Sequence, residues 1–287
     1  MTTAPVIVGV DGSAQGLGAV DLAVREAEAR NRPLRVVYAD AWSRDPAWTG
    51  TALADPFTDP LATRPEAAVH AALERIADRS RVRATGHVVR GHPASVLVDE
   101  SHEAALVVVG HRGRGGYPGL LLGSVARDVA THAFCPVLVA RGTPDPGGPV
   151  VVGVNGSPDS HSALSFAFEE ADLRGAELVA LHAWTHPVST GPGDMLPLVH
   201  DSALLAGEEA RVLAESLAGW QTKYPDVAVH ERLVRSRPGP ALVEATRGAQ
   251  LVVVGAHGHR PVVGWLLGSV AHLLLHQSHC PIAVVRH

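Results

Sequence analysis

The chain has 287 residues, enough for two domains that each bury a core of their own. It is 46% apolar and 18% charged, as in ordinary globular proteins, and its net charge of −5 gives no positive field for nucleic acid, so DNA binding is disfavoured. The apolar run 6–10 is too short for a signal peptide, and no apolar segment reaches the roughly 18 residues of a membrane span. We therefore expect a cytoplasmic protein.

The first half alternates short apolar runs with amphipathic segments. Strands are predicted at 6–10, 34–39, 87–90, 105–109 and 137–141. Helices are predicted at about 17–30, 65–79, 94–102 and 124–132. Between the second strand and the second helix, residues 43–63 contain three prolines and are predicted to form a long irregular loop.

The second half repeats this order of elements. Strands are predicted at 150–154, 178–183, 227–234, 251–254 and 282–286. Helices are predicted at about 159–174, 198–223, 239–247 and 269–278. Strands that are apolar on both faces and alternate with helices indicate an α/β fold, in which a parallel sheet is covered on both sides. Ligands of such sheets bind outside the carboxyl ends of the strands.

An internal repeat relates the two halves. The sequence V-G-V-D-G-S from Val8 corresponds to V-G-V-N-G-S from Val152, at an offset of 153 − 9 = 144 between their glycines. Gly110 corresponds to Gly255 at an offset of 255 − 110 = 145. Because the offset changes so little over a whole half, we infer the duplication of a complete domain. The predicted organisation is a domain at 1–142, a Pro/Gly-rich linker at 143–149 and a second domain at 150–287.

Each half carries the glycine pattern G-x2-G-x9-G-S between its fourth strand and its last helix. The copies are Gly110-His111-Arg112-Gly113 with Gly123-Ser124, and Gly255-Ala256-His257-Gly258 with Gly268-Ser269. Glycine lets the backbone approach an oxyanion and can adopt a positive φ, and a serine N-cap would begin a helix whose first N–H groups favour a phosphate. The alternative is a glycine-rich turn that binds nothing. Two copies with unchanged spacing favour a polyphosphate site.

The turn after the first strand differs between the halves, since Asp11 corresponds to Asn155. A carboxylate at this edge can accept ribose hydroxyls or hold Mg²⁺ against phosphates. The alternative is a plain turn residue, because Asp-Gly-Ser is ordinary turn chemistry. Since Asn155 lacks the charge, we expect the second site to hold a metal less well.

The basic residues of the two loops also differ. The first loop has Arg112, Arg114 and Arg127, whereas the second has His257, His259 and Arg260. Arginine donates to phosphate at any physiological pH, but histidine does so fully only when it is protonated. We therefore predict that the second site binds nucleotide more tightly at mildly acidic pH, unless these side chains only point into solvent.

Several other chemistries lack support in the sequence. The one lysine, Lys223, is not part of a G-x4-G-K-[ST] motif, which excludes a P-loop site. Cys135 and Cys280 occupy matched positions, so we predict buried core residues rather than redox or metal groups, and we consider a disulfide between them unfavoured. His272 and His276 are four residues apart on a predicted helix, but they are interpreted as solvated surface. No catalytic residue is predicted.

With these motifs, the chain resembles the universal stress protein family in its tandem two-domain form. The resemblance rests on the doubled G-x2-G-x9-G-[ST] signature, the V-G-V-D-G-S opening and the stretch L-V-A-L-H-A-W at 178–184. It implies two doubly wound, five-stranded parallel sheets of the Rossmann-like kind found in adenine nucleotide alpha hydrolase-like domains. It also implies that the two domains pair through their last strands, as an intrachain pseudo-dimer that forms homodimers.

The resemblance further implies ATP as the ligand, with adenine against Ala39 and Ala183 and ribose near Asp11 and Asn155. Mg²⁺ would accompany ATP, with Asp11 as the candidate metal ligand. Together with the loop residues argued above, the first site comprises Gly9, Asp11, Ala39, Gly110, Arg112, Gly113, Arg114, Gly123, Ser124 and Val125. The second site comprises Gly153, Asn155, Ala183, Gly255, His257, Gly258, Arg260, Gly268, Ser269 and Val270.

Three functions are compatible with these residues. The favoured one is a cytoplasmic, ATP-binding regulator of a stress or dormancy response with little or no turnover, because no lysine or candidate general base accompanies the two glycine loops. The second is a slow ATPase or adenylyl-transferring enzyme of the same superfold, although Asp11-Gly12-Ser13 stands where such transferases carry an H-x-G-H motif. The third is a structural interaction module with vestigial pockets.

Overall fold

The computed structural model describes residues 3–41, 65–114, 121–185, 202–258 and 267–287. The chain divides into two compact units, Met1–Arg141 and Gly142–His287. The predicted loop at 43–63, residues 198–201 of a predicted helix, and the predicted site residues His259 and Arg260 lie outside the described ranges.

The first unit contains five strands and four helices among its described residues. The strands β1–β5 are Val6–Gly9, Leu34–Asp40, Ala84–Arg90, Leu106–Gly110 and Val137–Ala140. The helices α1–α4 are Ala14–Ala29, Pro65–Ala77, Pro93–Glu100 and Ser124–His132. Their order along the chain follows the predicted alternation of strands and helices.

The second unit repeats the plan, with one additional short helix among its described residues. The strands β6–β10 are Val150–Gly153, Leu178–Trp184, Val229–Arg235, Leu251–Gly255 and Ile282–Val285. The helices α5–α9 are Pro158–Arg174, Ser202–Leu217, Trp220–Lys223, Pro238–Ala245 and Ser269–Gln277.

Each unit holds five parallel strands, which confirms the predicted fold class. The strand order is β3-β2-β1-β4-β5 in the first unit and β8-β7-β6-β9-β10 in the second. In both, the chain moves outward from the first strand and then returns to that strand's other side at the fourth. Such a reversal opens a crevice at the carboxyl ends of the two strands that flank it. The glycine patterns follow β4 and β9, so the topology places both at these crevices.

Burial of the central strands on both faces supplies the core of each unit. Val6, Ile7 and Val8 of β1 have no exposed surface, and Val150 and Val152 of β6 are equally buried. This is the pattern of strands that are covered by helices on both sides. The edge strands β3 and β8 are largely exposed, because each has a neighbouring strand on one side only.

Most predicted helices differ from the structure by one or two residues at an end, and two differ by more. The first begins at Ala14 rather than near residue 17, because the Ser13 side-chain oxygen accepts a hydrogen bond from the Gly16 N–H at 3.0 Å and caps the helix three residues earlier. The helix predicted at 198–223 is interrupted at Gly219, whose φ of 83° ends α6 and starts the short α7. Glycine tolerates this left-handed conformation without the cost that a Cβ would bring.

Both cysteines are buried free thiols, as the sequence predicts. Burial raises the pKa of Cys135 to about 12 and that of Cys280 to about 11. Thiols with so little thiolate at neutral pH are packing residues rather than nucleophiles. Among the described helices, none combines the length and the apolar character that crossing a bilayer requires.

Candidate functional site

In the first unit, Asp11 connects the turn after β1 to the glycine loop after β4. One carboxylate oxygen accepts the Ser13 N–H at 2.9 Å, and the other accepts the Arg114 N–H at 2.8 Å. Gly12, which lies between Asp11 and Ser13 in the chain, has a φ of 79°. The sharp turn requires this angle, and glycine adopts it freely. The predicted placement of Asp11 and the glycine loop at one edge is therefore realised, and the carboxylate helps to hold the loop in shape.

Gly113 is required by the close approach of Asp11. A Cβ at this position would lie 2.4 Å from Asp11 Oδ2, far inside van der Waals contact. The described loop glycines do not use the freedom of glycine to adopt a positive φ. The positive values near the two sites belong instead to Gly12 and Gly156, in the turns after β1 and β6.

The helices that follow both loops begin without a side-chain cap. Gly123 is the N-cap of α4 and Gly268 is the N-cap of α9, with extended backbone in each case. The prediction that Ser124 and Ser269 are N-caps is wrong, because each serine already has helical geometry as the first residue of its helix. Neither N-cap residue makes a side-chain hydrogen bond to its helix, and N–H groups that are not capped in this way suit an anion at the positive end of the helix dipole.

A hydrogen bond between backbone groups also holds each loop against the start of the helix that follows it. The Gly123 N–H donates to the His111 carbonyl at 2.8 Å, and the Gly268 N–H donates to the Ala256 carbonyl at 2.7 Å. The equivalent bonds show that the two loops close in the same way. Val125 and Val270 follow the serines in the first turn of α4 and α9, where the N–H groups have no partner within the helix.

Other predicted site glycines, at the ends of the first and fourth strands, allow close packing against helices. A Cβ on Gly110 would lie 3.0 Å from the Gln15 carbonyl oxygen, and one on Gly9 would lie 2.7 Å from Leu97 Cδ1. In the second unit, a Cβ on Gly153 would lie 3.0 Å from Leu242 Cδ1. These glycines let helices approach the strand ends, so their presence alone is no sign of a bound ligand.

The two arginines of the first loop lie near different neighbours. The charge of Arg112 lowers the pKa values of His111 and Arg141, although burial is the larger cause in both. Arg114 folds toward the turn after β1, with its Nη1 atom 3.8 Å from the position of a Cβ on Gly12. The first loop therefore carries a concentration of positive charge beside the Asp11 carboxylate.

In the second unit, Asn155 is held by its own turn. Its side-chain oxygen accepts the Ser157 N–H at 3.1 Å and the Ser157 hydroxyl at 2.8 Å. Its Nδ2 atom would lie 3.6 Å from a Cβ on Gly258, an ordinary contact. The second loop thus has more room beside its glycine than the first.

A carboxylate that the sequence analysis did not identify contacts the second loop. Asp159 lies in the first turn of α5, and its Oδ2 atom accepts the His257 backbone N–H at 2.9 Å and lies 2.8 Å from His257 Nδ1. Its Oδ1 atom accepts the His287 N–H at 3.3 Å. The corresponding residue of the first half is Gln15, at an offset of 159 − 15 = 144. This difference in charge between the halves is visible in the sequence.

The residues before the two predicted adenine-side alanines also differ. Burial raises the pKa of Tyr38, which precedes Ala39. His182, which precedes Ala183, is buried between two oxygen acceptors, with Nδ1 donating to the Val154 carbonyl at 2.7 Å and Nε2 2.6 Å from Glu209 Oε2. This contact, which was not predicted, connects α6 to the end of β6.

An open cleft lies at the switch point of the second unit, with a volume of about 120 Å³ accessible to the centre of a water-sized sphere. The predicted residues that line it are Gly153, Asn155, Ala183, Gly255, His257, Gly258, Gly268, Ser269 and Val270. The lining residues that were not predicted are mainly apolar and come from neighbouring elements, namely Val154, Ser160, Leu181, Pro238, Leu242, Val254 and Ala271.

The histidines of α9 do not form a metal cluster within the described part of the chain. The rings of His272 and His276 lie 4.7 Å apart between centroids. No group of three or more histidine, cysteine, aspartate or glutamate side chains suited to a metal occurs among the described residues.

Comparison with known proteins agrees with this architecture. The family model described as the universal stress protein family matches residues 3–141 and 148–286. The universal stress protein Rv2005c of Mycobacterium tuberculosis is 40% identical over 295 residues, which cover 98% of this chain and 96% of that protein.

Solved structures show the same fold. A universal stress protein from Archaeoglobus fulgidus superposes with a TM-score of 0.68 at 18% identity, over 99% of this chain and 96% of that chain. A universal stress protein solved in complex with cAMP is 31% identical, covers 48% of this chain and 99% of that chain, and has a TM-score of 0.39. Because the family model matches both halves and a relative is 40% identical over nearly the full length, the chain belongs to the universal stress protein family, with one such domain in each half.

Proposed function

We propose that this protein binds ATP at both switch points and acts as a nucleotide-dependent regulator of a stress or dormancy response, with little or no turnover. The observation that carries the proposal is the open cleft of the second unit, which combines an uncapped helix start with a glycine loop and an apolar wall. An anionic tail and an apolar ring are the two parts of a nucleotide that such a cleft suits.

The phosphates would lie against the glycine loop and the first turn of the helix. In the first unit these are Gly110, Gly113, Gly123, Ser124 and Val125, with Arg112 and Arg114 supplying charge. In the second unit the corresponding residues are Gly255, Gly258, Gly268, Ser269 and Val270, with His257 and Arg260 in the loop. Backbone N–H groups at a helix start bind phosphate without a lysine, which agrees with the lack of a P-loop motif.

Adenine would lie beside Ala39 in the first unit and Ala183 in the second, and ribose near Asp11 or Asn155. Ala183 lines the cleft together with Leu181, so an apolar surface suited to a flat ring is present at the expected strand end. In the first unit, Asp11 retains lone pairs on oxygens that each accept one backbone N–H, so its carboxylate suits a ribose hydroxyl or Mg²⁺.

The cellular part of the proposal rests on the family and on composition. We propose a cytoplasmic protein, without nucleic-acid contacts, whose two domains pair through their last strands and which forms homodimers. A negative net charge is consistent with a nucleotide-binding rather than a DNA-binding role. Sedimentation of the purified chain with and without ATP tests the assembly, and a monomer in both conditions would contradict the dimer.

Titration of the purified protein by calorimetry tests the nucleotide proposal. ATP, ADP, GTP and cAMP are compared in the presence of Mg²⁺, with cAMP included because one related structure contains it. We expect two ATP sites per chain and preference for adenine over guanine. Mass analysis of nucleotide released from freshly purified protein identifies the resident ligand, and protein that carries no adenine nucleotide and takes up none would contradict the proposal.

A pair of glycine variants makes the test specific to the cleft. Gly258→Val places a side chain beside the loop, where a Cβ meets Asn155 only at 3.6 Å, so we expect the fold to tolerate it. Gly207→Val is the matched control, because Gly207 lies on α6 and a Cβ there has no neighbour within 4 Å. The first variant should lose one ATP site and the second should keep both. Unchanged binding by Gly258→Val would favour vestigial pockets.

A further inference from the structure

The hydrogen bonds of His257 fix which of its nitrogens carries a proton. Asp159 Oδ2 lies 2.8 Å from Nδ1 and also accepts the His257 backbone N–H, and Asp159 Oδ1 accepts the His287 N–H. An ionised carboxylate only accepts hydrogen bonds, so Nδ1 is the donor. The neutral imidazole then has its lone pair on Nε2. Among the described residues, Nε2 has no hydrogen-bond partner.

His257 itself belongs to the loop of the proposed phosphate site. His257 lies between Gly255 and Gly258 of the loop and lines the cleft. Its Cα is 3.4 Å from the position of a Cβ on Gly268, the N-cap of α9. A histidine oriented by a carboxylate, beside a site for an electrophilic phosphorus, has the arrangement of a general base.

The first unit lacks both members of this pair. Gln15 stands at the position of Asp159 and Arg112 at the position of His257, at offsets of 144 and 145. Arginine remains protonated at physiological pH, so it donates to phosphate and does not accept a proton. The two loops share their backbone hydrogen bonds but differ in this chemistry.

We propose that the second unit slowly hydrolyses ATP, with His257 as the catalytic base and Asp159 as its positioning residue, while the first unit only binds ATP. This inference rests on the proposed nucleotide site. Nε2 takes one proton from a water molecule, whose oxygen forms a bond to the γ-phosphorus as the bond from that phosphorus to the β–γ bridging oxygen breaks. The products are ADP and inorganic phosphate, and the proton on Nε2 passes to solvent.

The two protonation states of His257 have opposite effects. The imidazolium donates to phosphate from Nε2, whereas the neutral ring presents a lone pair there and acts as a base. Rising pH therefore increases turnover and weakens binding at the second site. Within the described ranges, the charged or titratable groups around this pair are Asp159 itself on α5, with Arg286 and His287 following β10.

Single-turnover assays of the full chain with radiolabelled ATP and Mg²⁺ test the proposal. His257→Gln and Asp159→Asn should each lower the rate of phosphate release by about 100-fold or more, the range of general-base contributions. Asp159→Asn keeps an acceptor for the backbone N–H but not the charge, so it should lower the rate without lowering the affinity for an ATP analogue, whereas the pH–rate profile of His257→Gln should lose the rise that the wild type shows. The double variant Asp159→Gln with His257→Arg reproduces the first-unit pair and should bind ATP without hydrolysing it.

His230→Gln is the matched control, because it removes a histidine that also pairs with a carboxylate, at 3.3 Å from Glu177, but on an exposed strand. Its rate should be that of the wild type. Binding of a non-hydrolysable ATP analogue is measured on every variant. Wild-type protein that binds the analogue but returns ATP intact overturns this inference and leaves the proposed function in place, whereas failure to bind the analogue overturns both. Wild-type rates in His257→Gln would also overturn the inference.

Discussion

In each unit, one carboxylate accepts a hydrogen bond from a backbone N–H of the glycine loop. The two carboxylates come from different places in the fold. In the first unit Asp11, after β1, accepts the Arg114 N–H, whereas in the second unit Asp159, on α5, accepts the His257 N–H. Where the first unit has Asp11, the second has Asn155, which bonds within its own turn. Both halves therefore provide a carboxylate acceptor for a loop N–H, but the two carboxylates stand at positions that do not correspond in the repeat.

The relocation of the carboxylate changes the chemistry at the loop. In the first unit the acid lies beside arginines, which keeps a fixed positive charge available for phosphate. In the second unit the acid contacts a histidine, which donates to phosphate fully only when it is protonated. Two sites with one fold and one glycine pattern are thus expected to differ in strain, in pH dependence and in reactivity.

Gly113→Ala and its counterpart Gly258→Ala should show the largest difference between the units. The added methyl group would lie 2.4 Å from Asp11 Oδ2 in the first unit but 3.6 Å from Asn155 Nδ2 in the second. We expect Gly113→Ala to lower the free energy of unfolding by about 3 kcal/mol, since it displaces the carboxylate, and Gly258→Ala to change it by less than about 0.5 kcal/mol. Urea unfolding, followed by hydrogen exchange in peptides of each unit, measures both. Equal losses of unfolding free energy in the two variants would contradict the difference between the two loops.

Asp11→Ala should have the next largest effect. It leaves the Ser13 and Arg114 N–H groups without a charged acceptor, and we expect a loss of about 2 kcal/mol of unfolding free energy in the first unit. Asn155→Ala removes only neutral hydrogen bonds and should cost about 1 kcal/mol in the second unit. The same exchange experiment compares them. A greater cost for Asn155→Ala would show that the carboxylate does not hold the first loop.

The two sites should also differ in how their ATP affinity depends on pH, although this effect is smaller than the two stability effects above. Protonated His257 donates a charge-assisted hydrogen bond to phosphate and the neutral form does not, so affinity at the second site should fall about 10-fold between pH 6 and pH 8. The first site, with arginines, should change little over that range. Calorimetry on Gly113→Val reports the second site, and Gly258→Val reports the first. If the second site binds ATP equally well at both pH values, His257 does not contribute to phosphate binding.

The cysteines should show the smallest difference, because both units bury them. Their pKa values are raised from 9.0 to about 12 and about 11, so the thiol form is favoured by folding. The stability that this contributes is complete below about pH 9 and is lost as pH rises through the folded-state values. At pH 8 a thiol reagent should label both at least about 100-fold more slowly than in urea, given the lost thiolate. Rapid labelling of Cys280 would contradict its burial.

Much of the fold was predictable from the sequence because its signals are local or repeated. Apolar runs marked the strands, and the glycine spacing placed both loops at strand ends, where parallel strands bring them to one edge. The N-caps were not predicted correctly, since choosing between Gly123 and Ser124 depends on where helical geometry begins. Asp159 was missed because its bond to His257 spans 98 residues and no short motif contains both.

Native mass spectrometry of the full chain with ATP and Mg²⁺ tests the central claim most directly, because it counts bound nucleotides. We predict two per wild-type chain, and one for Gly258→Val with two for Gly207→Val. Species without nucleotide at saturating ATP, or two nucleotides still bound to Gly258→Val, would contradict the claim that each glycine loop forms a nucleotide site.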